Sequence, residues 1–207
     1  MIILQIDSSV LGDASASRQL TRAIVDALRA RHPGAQLVSR DLAADPVGHL
    51  TGDGVAVITF GKSDDLTPAQ QQERALSDKI IDEVLAADVV VIGAPMYNFT
   101  ISSQLKAWLD RLIRSGRTFS YTEKGPNGLA GGRKVIVASS RGGIYTAGLE
   151  ALDHQEAYLR TALGFIGLTD LEFVRAEGLG MGPEHRDRAM AEAHAQAKTI
   201  SDLATAA

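Results

Sequence analysis

The pattern of apolar residues along the chain predicts five buried β-strands. The clearest covers residues 88–94, in which Val89 to Ile92 are β-branched in succession, with no polar alternation. A strand that is apolar on both faces is typical of the interior of a parallel sheet covered by helices on each side. The other predicted strands are residues 2–6, 36–40, 134–139 and 171–177.

Between these strands, apolar residues recur at the three- and four-residue spacing of amphipathic helices. One helix is predicted from Ser15 to His32, where Pro33-Gly34 stops it. Thr67, Pro68 and Gln70 form a capping-box signature for a helix that runs to Ala86. Further helices are predicted from Ser102 or Ser103 to about Ser115, over about residues 150–163, and from about Pro183 to Leu203.

Two segments lack this regular pattern. Residues 41–66 contain Pro46 and several glycines, which favours a long loop with room for one short helix. Residues 118–121 alternate and predict a short strand that enters a loop at residues 125–128. Trp108 falls on the apolar face of the preceding helix, which favours a core or interface position over a ligand platform.

Alternating strands and helices of this length imply right-handed parallel crossovers. The sequence therefore predicts an α/β fold, a three-layer sandwich around a five-stranded parallel sheet. The favoured strand order is the flavodoxin-like 2-1-3-4-5. We find no internal repeat and no linker, so residues 1–207 are predicted to form a single domain.

Composition narrows the classes of function. The net charge of −4 and the lack of a basic tract argue against a nucleic-acid partner. The chain has no cysteine, which excludes a disulfide framework, a thiolate nucleophile and a Cys-based metal site. No pair among the five histidines has metal-ligand spacing, so no metal site is predicted.

The same features predict a cytoplasmic protein. The first residues lack the basic region and long apolar core of a signal peptide. The longest apolar run, Val89 to Met96, is far too short to span a membrane.

Three unusual loops follow the first, third and fourth predicted strands, and the 2-1-3-4-5 order places them side by side. The first holds Ser9, Ser15 and Ser17 before a helix, which suits a phosphate. Simple N-capping by Ser15 or Ser17 also explains these serines. The second loop, residues 96–99, offers apolar surface and an amide, and the third, residues 140–143, offers two glycines beside a flat ring. Together they outline a phosphorylated planar heterocycle.

The motifs in these loops make a family resemblance visible. Ala94-Pro95-Met96-Tyr97-Asn98-Phe99 and Ser140-Arg141-Gly142-Gly143 occur together with Tyr121-Thr122-Glu123 and Leu163-Gly164-Phe165-Ile166-Gly167. The chain resembles, nearly end to end, the bacterial FMN-dependent NADH-azoreductases, also called NADH:quinone oxidoreductases. At Ala162 it departs from the family member that we compare most readily, which has Phe there.

The resemblance implies a set of site residues. Ser9, Ser15, Ala16 and Ser17 would hold the FMN phosphate. Met96, Tyr97, Asn98 and Phe99 would line the ring, and Ser140, Arg141, Gly142 and Gly143 would close its other edge. Tyr121 would lie near the outer face of the flavin. Tyr97, Asn98 and Tyr121 are the side chains expected to tune or position the reacting groups.

The resemblance also implies an activity, namely reduction of quinones and reductive cleavage of azo dyes with NADH or NADPH. Because one flavin face cannot hold two planar substrates at reacting distance, a ping-pong reaction in one shared pocket is expected. A homodimer with sites at the subunit interface is expected as well. The alternatives are an FMN-binding electron carrier without its own substrate and, more remotely, an α/β hydrolase, for which the chain lacks a G-x-S-x-G elbow.

Overall fold

The computed structural model describes residues 1–200 and contains seven strands. They are β1 Ile2–Asp7, β2 Gln36–Asp41, β3 Val89–Pro95, β4 Phe119–Thr122, β5 Gly125–Gly128, β6 Lys134–Ser140 and β7 Asp170–Ala176. Five of them form a parallel sheet in the order β2-β1-β3-β6-β7. Counted along the strands of that sheet alone, this is the predicted order 2-1-3-4-5.

Helices connect the strands and cover both faces of the sheet. They are α1 Ala16–Arg31, α2 Gly52–Gly54, α3 Pro68–Ala86, α4 Ser103–Leu112, α5 Glu156–Phe165 and α6 Pro183–Lys198. A π-helical turn, Val55–Thr59, continues α2 and fills the short-helix position expected within residues 41–66. The capping box predicted at Thr67 and Gln70 is present at the start of α3.

The apolar run in β3 is explained by the helices that cover the two faces of the strand. Val89 and Val91 pack into the core cluster formed with α1 and α6, whereas Val90 and Ile92 pack into the cluster formed with α3, α4 and α5. Both faces of the strand are therefore buried, and a polar residue on either face would lose its hydration. Trp108 of α4 is 1% exposed and belongs to the second cluster, which assigns it to the core.

The predicted end, at about Ser115, of the helix that starts at Ser102 or Ser103 is wrong, because α4 ends at Leu112. Buried Thr118 accounts for the difference. Its Oγ1 donates to the Leu112 carbonyl at 2.8 Å and accepts from the Arg114 N–H at 2.9 Å. These bonds satisfy groups that a further helical turn would have used.

The helix predicted over residues 150–163 is wrong at its start. Residues Glu150–Leu152 form a 3₁₀ turn, and α5 begins at Glu156. The Asp153 carboxylate accepts the N–H groups of Gln155 and Glu156, at 2.9 and 3.0 Å, and so marks the true start. Near the other end of the chain, α6 covers Pro183–Lys198, and the predicted helix end at Leu203 lies outside the described residues.

The loop predicted at residues 125–128 is instead the strand β5, which pairs with β4 as an antiparallel hairpin. The hairpin lies close against the end of α5. A Cβ added at Gly128 would fall 2.2 Å from the backbone nitrogen of Gly167. Glycine at both positions therefore permits a backbone contact that a side chain would block.

Candidate functional site

The loops that follow β1, β3 and β6 lie together, because these three strands are neighbours in the sheet. Ligands of open α/β sheets bind at this carboxyl edge. The three loops and the segment after β7 surround a cavity of about 220 Å³. Every lining residue is uncharged except Arg141 and Arg186.

The first loop delivers buried hydroxyl groups to the start of α1. Ser15 is the N-cap, and its Oγ accepts the Arg18 N–H at 3.3 Å. Its Oγ also lies 3.0 Å from the Oγ of Ser17. The N–H groups of Ala16 and Ser17 stand in the first helical turn, which has no preceding helical carbonyl to bind them. Both explanations of these serines, capping and anion binding, are compatible with this geometry.

Two further serines tie the first loop to the third strand. Ser8 Oγ donates to the Gly93 carbonyl at 2.7 Å. Ser9 Oγ lies 3.1 Å from the Tyr97 hydroxyl, so it joins the first loop to the loop at residues 96–99. These bonds fix the positions of the two loops relative to each other.

A buried polar network supports the first loop from below. The Asp7 carboxylate accepts from Thr21 Oγ1 at 2.7 Å and from Gln5 Nε2 at 2.9 Å. Desolvation outweighs these bonds and the nearby Arg18 charge, and the pKa of Asp7 is raised from its ordinary value of 3.8. Arg18 itself pairs with Asp41 at 2.6 Å. Desolvation acts to raise the pKa of Asp41, but hydrogen bonds from Arg18 and two backbone N–H groups outweigh it and lower that pKa.

The second loop is a tight turn with an unusual backbone. Tyr97 and Thr100 exchange backbone hydrogen bonds of 2.9 and 3.2 Å around the two central residues. These are Asn98 at φ +48° and Phe99 at φ +74°, both in the left-handed region. Positive φ at both centres is the type I′ arrangement, in which glycine is the usual second residue. Phe99 therefore carries backbone strain, which is concentrated at functional sites.

The turn presents the Phe99 ring beside the third loop. The ring is about half exposed and packs edge-on against Tyr145, with centroids 6.5 Å apart. The strained turn thus holds the Phe99 ring at the edge of the site.

Arg141 in the third loop is buried and fully paired. Its guanidinium contacts the carboxylates of Asp153, Glu156 and Glu177, at 2.9, 2.6 and 3.2 Å. Ser139 Oγ accepts two more of its hydrogen bonds. Because three carboxylates surround its charge, Arg141 joins neighbouring segments together and leaves no net positive charge for a ligand in the cavity.

The backbone of the third loop is anchored to the segment after β7. The N–H groups of Gly178, Leu179 and Gly180 donate to the carbonyls of Gly143, Arg141 and Gly142, at 2.9, 3.1 and 2.9 Å. A Cβ built on Gly142 would meet no atom within 4 Å, and Gly142 lines the cavity. Open space above this glycine leaves room for a flat ligand to approach the backbone.

The structure brings most, but not all, of the predicted site residues to one cavity. Those that line it are Ser9, Ser15, Ala16, Met96, Tyr97, Ser140, Arg141 and Gly142. Those that lie outside its lining are Ser17, Asn98, Phe99, Gly143 and Tyr121. Ser17 contacts the cavity-lining Ser15 through a hydrogen bond between their hydroxyls. Asn98, Phe99 and Gly143 lie in the flanking loops. Tyr121 stands on the β4–β5 hairpin, 74% exposed and edge-on to Phe119.

The chain matches known proteins over nearly its whole length. A family model described as a flavodoxin-like fold matches residues 1–200. The FMN-dependent NADH:quinone oxidoreductase of Azospirillum brasilense is 58% identical over 203 residues, which are 97% of this chain and 98% of that protein. The chain belongs to this flavodoxin-like family.

Further relatives agree. The FMN-dependent NADH:quinone oxidoreductase of Ralstonia nicotianae is 54% identical over 208 residues and spans 100% of both chains. The crystal structure of an azoreductase from Bacillus anthracis matches with a TM-score of 0.88 at 30% identity, over 97% of this chain and 98% of that one. The family resemblance expected from the loop motifs is confirmed.

Several cavity residues were missed by the sequence analysis. Leu11 and Ala14 come from the first loop, Leu179 and Gly180 follow β7, and Arg186 lies in the first turns of α6. The Leu11 and Ala14 positions could have been included with the serines around them. No local pattern marks Arg186, because it reaches the cavity through the packing of α6 beside α1 on the same face of the sheet.

Proposed function

We propose that this protein is an FMN-dependent oxidoreductase that uses NADH or NADPH to reduce quinones and to cleave azo compounds. The observation that carries the proposal is the cavity built from the loops after β1, β3 and β6, in a chain that matches NADH:quinone oxidoreductases along its whole length. The proposal treats residues 1–207 as one FMN-binding domain.

The residues of the cavity fit FMN. The first turn of α1 and the hydroxyl of Ser15 suit a phosphate group. The open space above Gly142 suits the edge of a flat ring. Met96 and Tyr97 supply apolar and aromatic surface on the opposite loop. Asp13, an acid close in sequence to the phosphate position, pairs with Arg22 at 2.6 Å and is largely exposed, so its charge is turned away.

FMN, when bound, supplies the chemistry, by taking up two electrons with a hydride and giving them to an acceptor. The chain supplies binding and orientation. Ser9 holds the Tyr97 ring through its hydroxyl, and the strained turn holds Asn98 and Phe99 at the rim. In this proposal Tyr97, Asn98 and Tyr121 position the reacting groups, while Arg141 acts through the loop that it anchors.

The alternative is an FMN-binding electron carrier without its own substrate. The enzyme names of the full-length relatives favour a reductase. Oxidation of NADH by the purified protein, with and without a quinone, separates the two. A protein that binds FMN but does not oxidise either nicotinamide nucleotide would be a carrier.

The proposed reaction uses one open face for both substrates. A nicotinamide and a quinone are both flat, and both must approach the same site to about 3–3.5 Å. The first product must then leave before the acceptor enters. Initial-rate plots against NADH at several quinone concentrations should give parallel lines. Intersecting lines would contradict a single shared pocket, and the same assays with NADPH and an azo dye define the substrate range.

We also propose a homodimer in which the sites lie at the subunit interface. The apolar residues of 101–113 do not supply its interface, since they pack into the core of their own chain. Other features do support it. Phe60 and Tyr121 are 80% and 74% exposed, which is high for aromatic side chains. Sedimentation that shows an active monomer at micromolar concentration would exclude the dimer.

Within residues 1–200 we find no helix that has both the length and the hydropathy of a membrane span. The cytoplasmic location stays a prediction from the sequence.

A further inference from the structure

Arg186 is a charged side chain of the cavity that lies outside the sequence motifs of the family. It lies in the second turn of α6, and it lines the cavity together with Leu11, Ala14 and Ser15 of the first loop. The helices α1 and α6 share one core cluster on the same face of the sheet. Their N-terminal ends therefore approach the carboxyl edge side by side, with Arg186 beside the serine loop.

The charge of Arg186 has no counter-ion in the structure. Within residues 1–200 its guanidinium makes no hydrogen bond or ion pair, and it is half-buried. No carboxylate lines the cavity. The other cation there, Arg141, is matched by three carboxylates, so Arg186 supplies the uncompensated positive charge of the cavity.

By itself, the serine loop has only uncharged hydrogen-bond donors with which to bind an anion. Hydroxyls and N–H groups can surround a phosphate, but they leave about −1.5 to −2 charges on it at neutral pH. An arginine fork matches phosphate geometry and strengthens such a site. We propose that Arg186 binds the phosphate of FMN and makes the cavity selective for FMN over riboflavin. This inference rests on the proposed function.

The test compares flavins with and without the phosphate. Free flavin is measured after ultrafiltration of the full-length protein at a series of FMN or riboflavin concentrations. Arg186→Gln should weaken FMN binding about tenfold, the loss expected for one charged hydrogen bond, while riboflavin binding changes less than about twofold. Arg186→Lys should keep most of the FMN affinity, because it keeps the charge.

Arg188→Gln is the matched control. Arg188 lies on the same helix, pairs with His185 at 2.9 Å and lines a different cavity. Its replacement should leave both flavin affinities unchanged. Raising salt from about 20 mM to about 0.5 M should weaken FMN binding to the wild type more than to Arg186→Gln. Salt screens the attraction between the Arg186 charge and the phosphate, and the variant lacks that charge.

Two outcomes would overturn the inference and leave the proposed function intact. One is unchanged FMN affinity in Arg186→Gln while the wild type binds FMN. The other is an equal loss of FMN and riboflavin, which would mean that Arg186 only supports the fold of the site. A wild type that binds neither flavin would overturn the proposed function itself, and this inference with it.

Discussion

Gly142 is the residue whose missing side chain matters most to the proposed site. Its φ is not in the left-handed region, and a Cβ built there meets no heavy atom within 4 Å, so the backbone accepts a side chain at this position without strain or a Cβ clash. Gly142→Leu should therefore leave the free energy of unfolding within about 0.5 kcal/mol of the wild type. It should weaken FMN binding at least about tenfold, because the side chain occupies the ring position.

Gly34→Leu is a control for this change. Gly34 also has open space around its Cβ position, but it lies in the turn between α1 and β2. The two variants should have similar thermal stability and differ in FMN retention. Wild-type FMN affinity in Gly142→Leu would show that the ring does not lie against this glycine.

Asp7 should make stability depend on pH in the acid range. Because its pKa in the folded protein is raised above 3.8, the folded state holds the proton more tightly than the unfolded state. The stabilisation is fully present below 3.8 and is lost as the pH rises through the folded pKa. We expect the unfolding free energy of the wild type, minus that of Asp7→Asn, to fall over this range in denaturant titrations.

Asp41, which pairs with Arg18 beside Asp7, should give the opposite dependence of stability on pH. Its pKa is lowered, so its contribution is present above 3.8 and is lost as the pH falls through the folded pKa. Asp41→Asn should therefore give a difference curve that rises with pH. Difference curves that slope in the same direction for the two variants would contradict the assignment of Asp7 as destabilised by burial when charged and of Asp41 as stabilised by its partners when charged.

At the scale of elements, the turn at residues 97–100 should show an inverted preference at Phe99. Alanine is normally more stable than glycine by about 0.5–1 kcal/mol within regular structure. At φ +74° the order should reverse, because glycine adopts this backbone without strain. Phe99→Gly should be more stable than Phe99→Ala by about 1 kcal/mol, and both should lose the ring–ring contact with Tyr145.

Chemical denaturation of the two Phe99 variants measures this difference. Both should also turn over quinone more slowly than the wild type if the ring at the rim positions substrate. A more stable alanine variant would mean that the turn relaxes out of the left-handed region when the ring is removed.

At the scale of the whole molecule, Tyr121 offers a test of the proposed dimer. It is 74% exposed and does not line the cavity of its own chain, so in the proposed dimer we expect it to act at the cavity of the second subunit. Tyr121→Ala should lower turnover with both substrates and leave FMN bound. In a hybrid dimer of Tyr121→Ala with Gly142→Leu, one site regains every group and activity should return.

The hybrid is prepared by co-expression with two different tags, and the two parent homodimers are the controls. Recovery to about half of the wild-type activity per dimer is expected, because one of two sites is complete. No recovery in the isolated hybrid would contradict a shared site.

Much of the fold was determined by local sequence. The β-branched run of Val89 to Ile92 can be buried on both faces only inside a covered sheet, and this correctly predicted β3. The starts of α1 and α3 could be predicted because their capping side chains bind N–H groups within three residues of themselves. These side chains are Ser15 for α1 and the pair Thr67 and Gln70 for α3. The strand order was the favoured one among the common orders of doubly wound sheets, and the grouping of the site's loops followed from that order.

Tertiary structure decided the features that depend on partners distant along the chain. Thr118 ends α4 through bonds that no helical pattern contains. Residues 125–128 form a strand because they pair with β4, and Gly128 packs closely on Gly167. Arg141 looked like a ligand-binding arginine, but three carboxylates from later segments neutralise it. Arg186 reaches the cavity only because α6 packs beside α1. Periodicity and capping are local, whereas the charge that faces a cavity is the sum over all the segments that the fold brings to it.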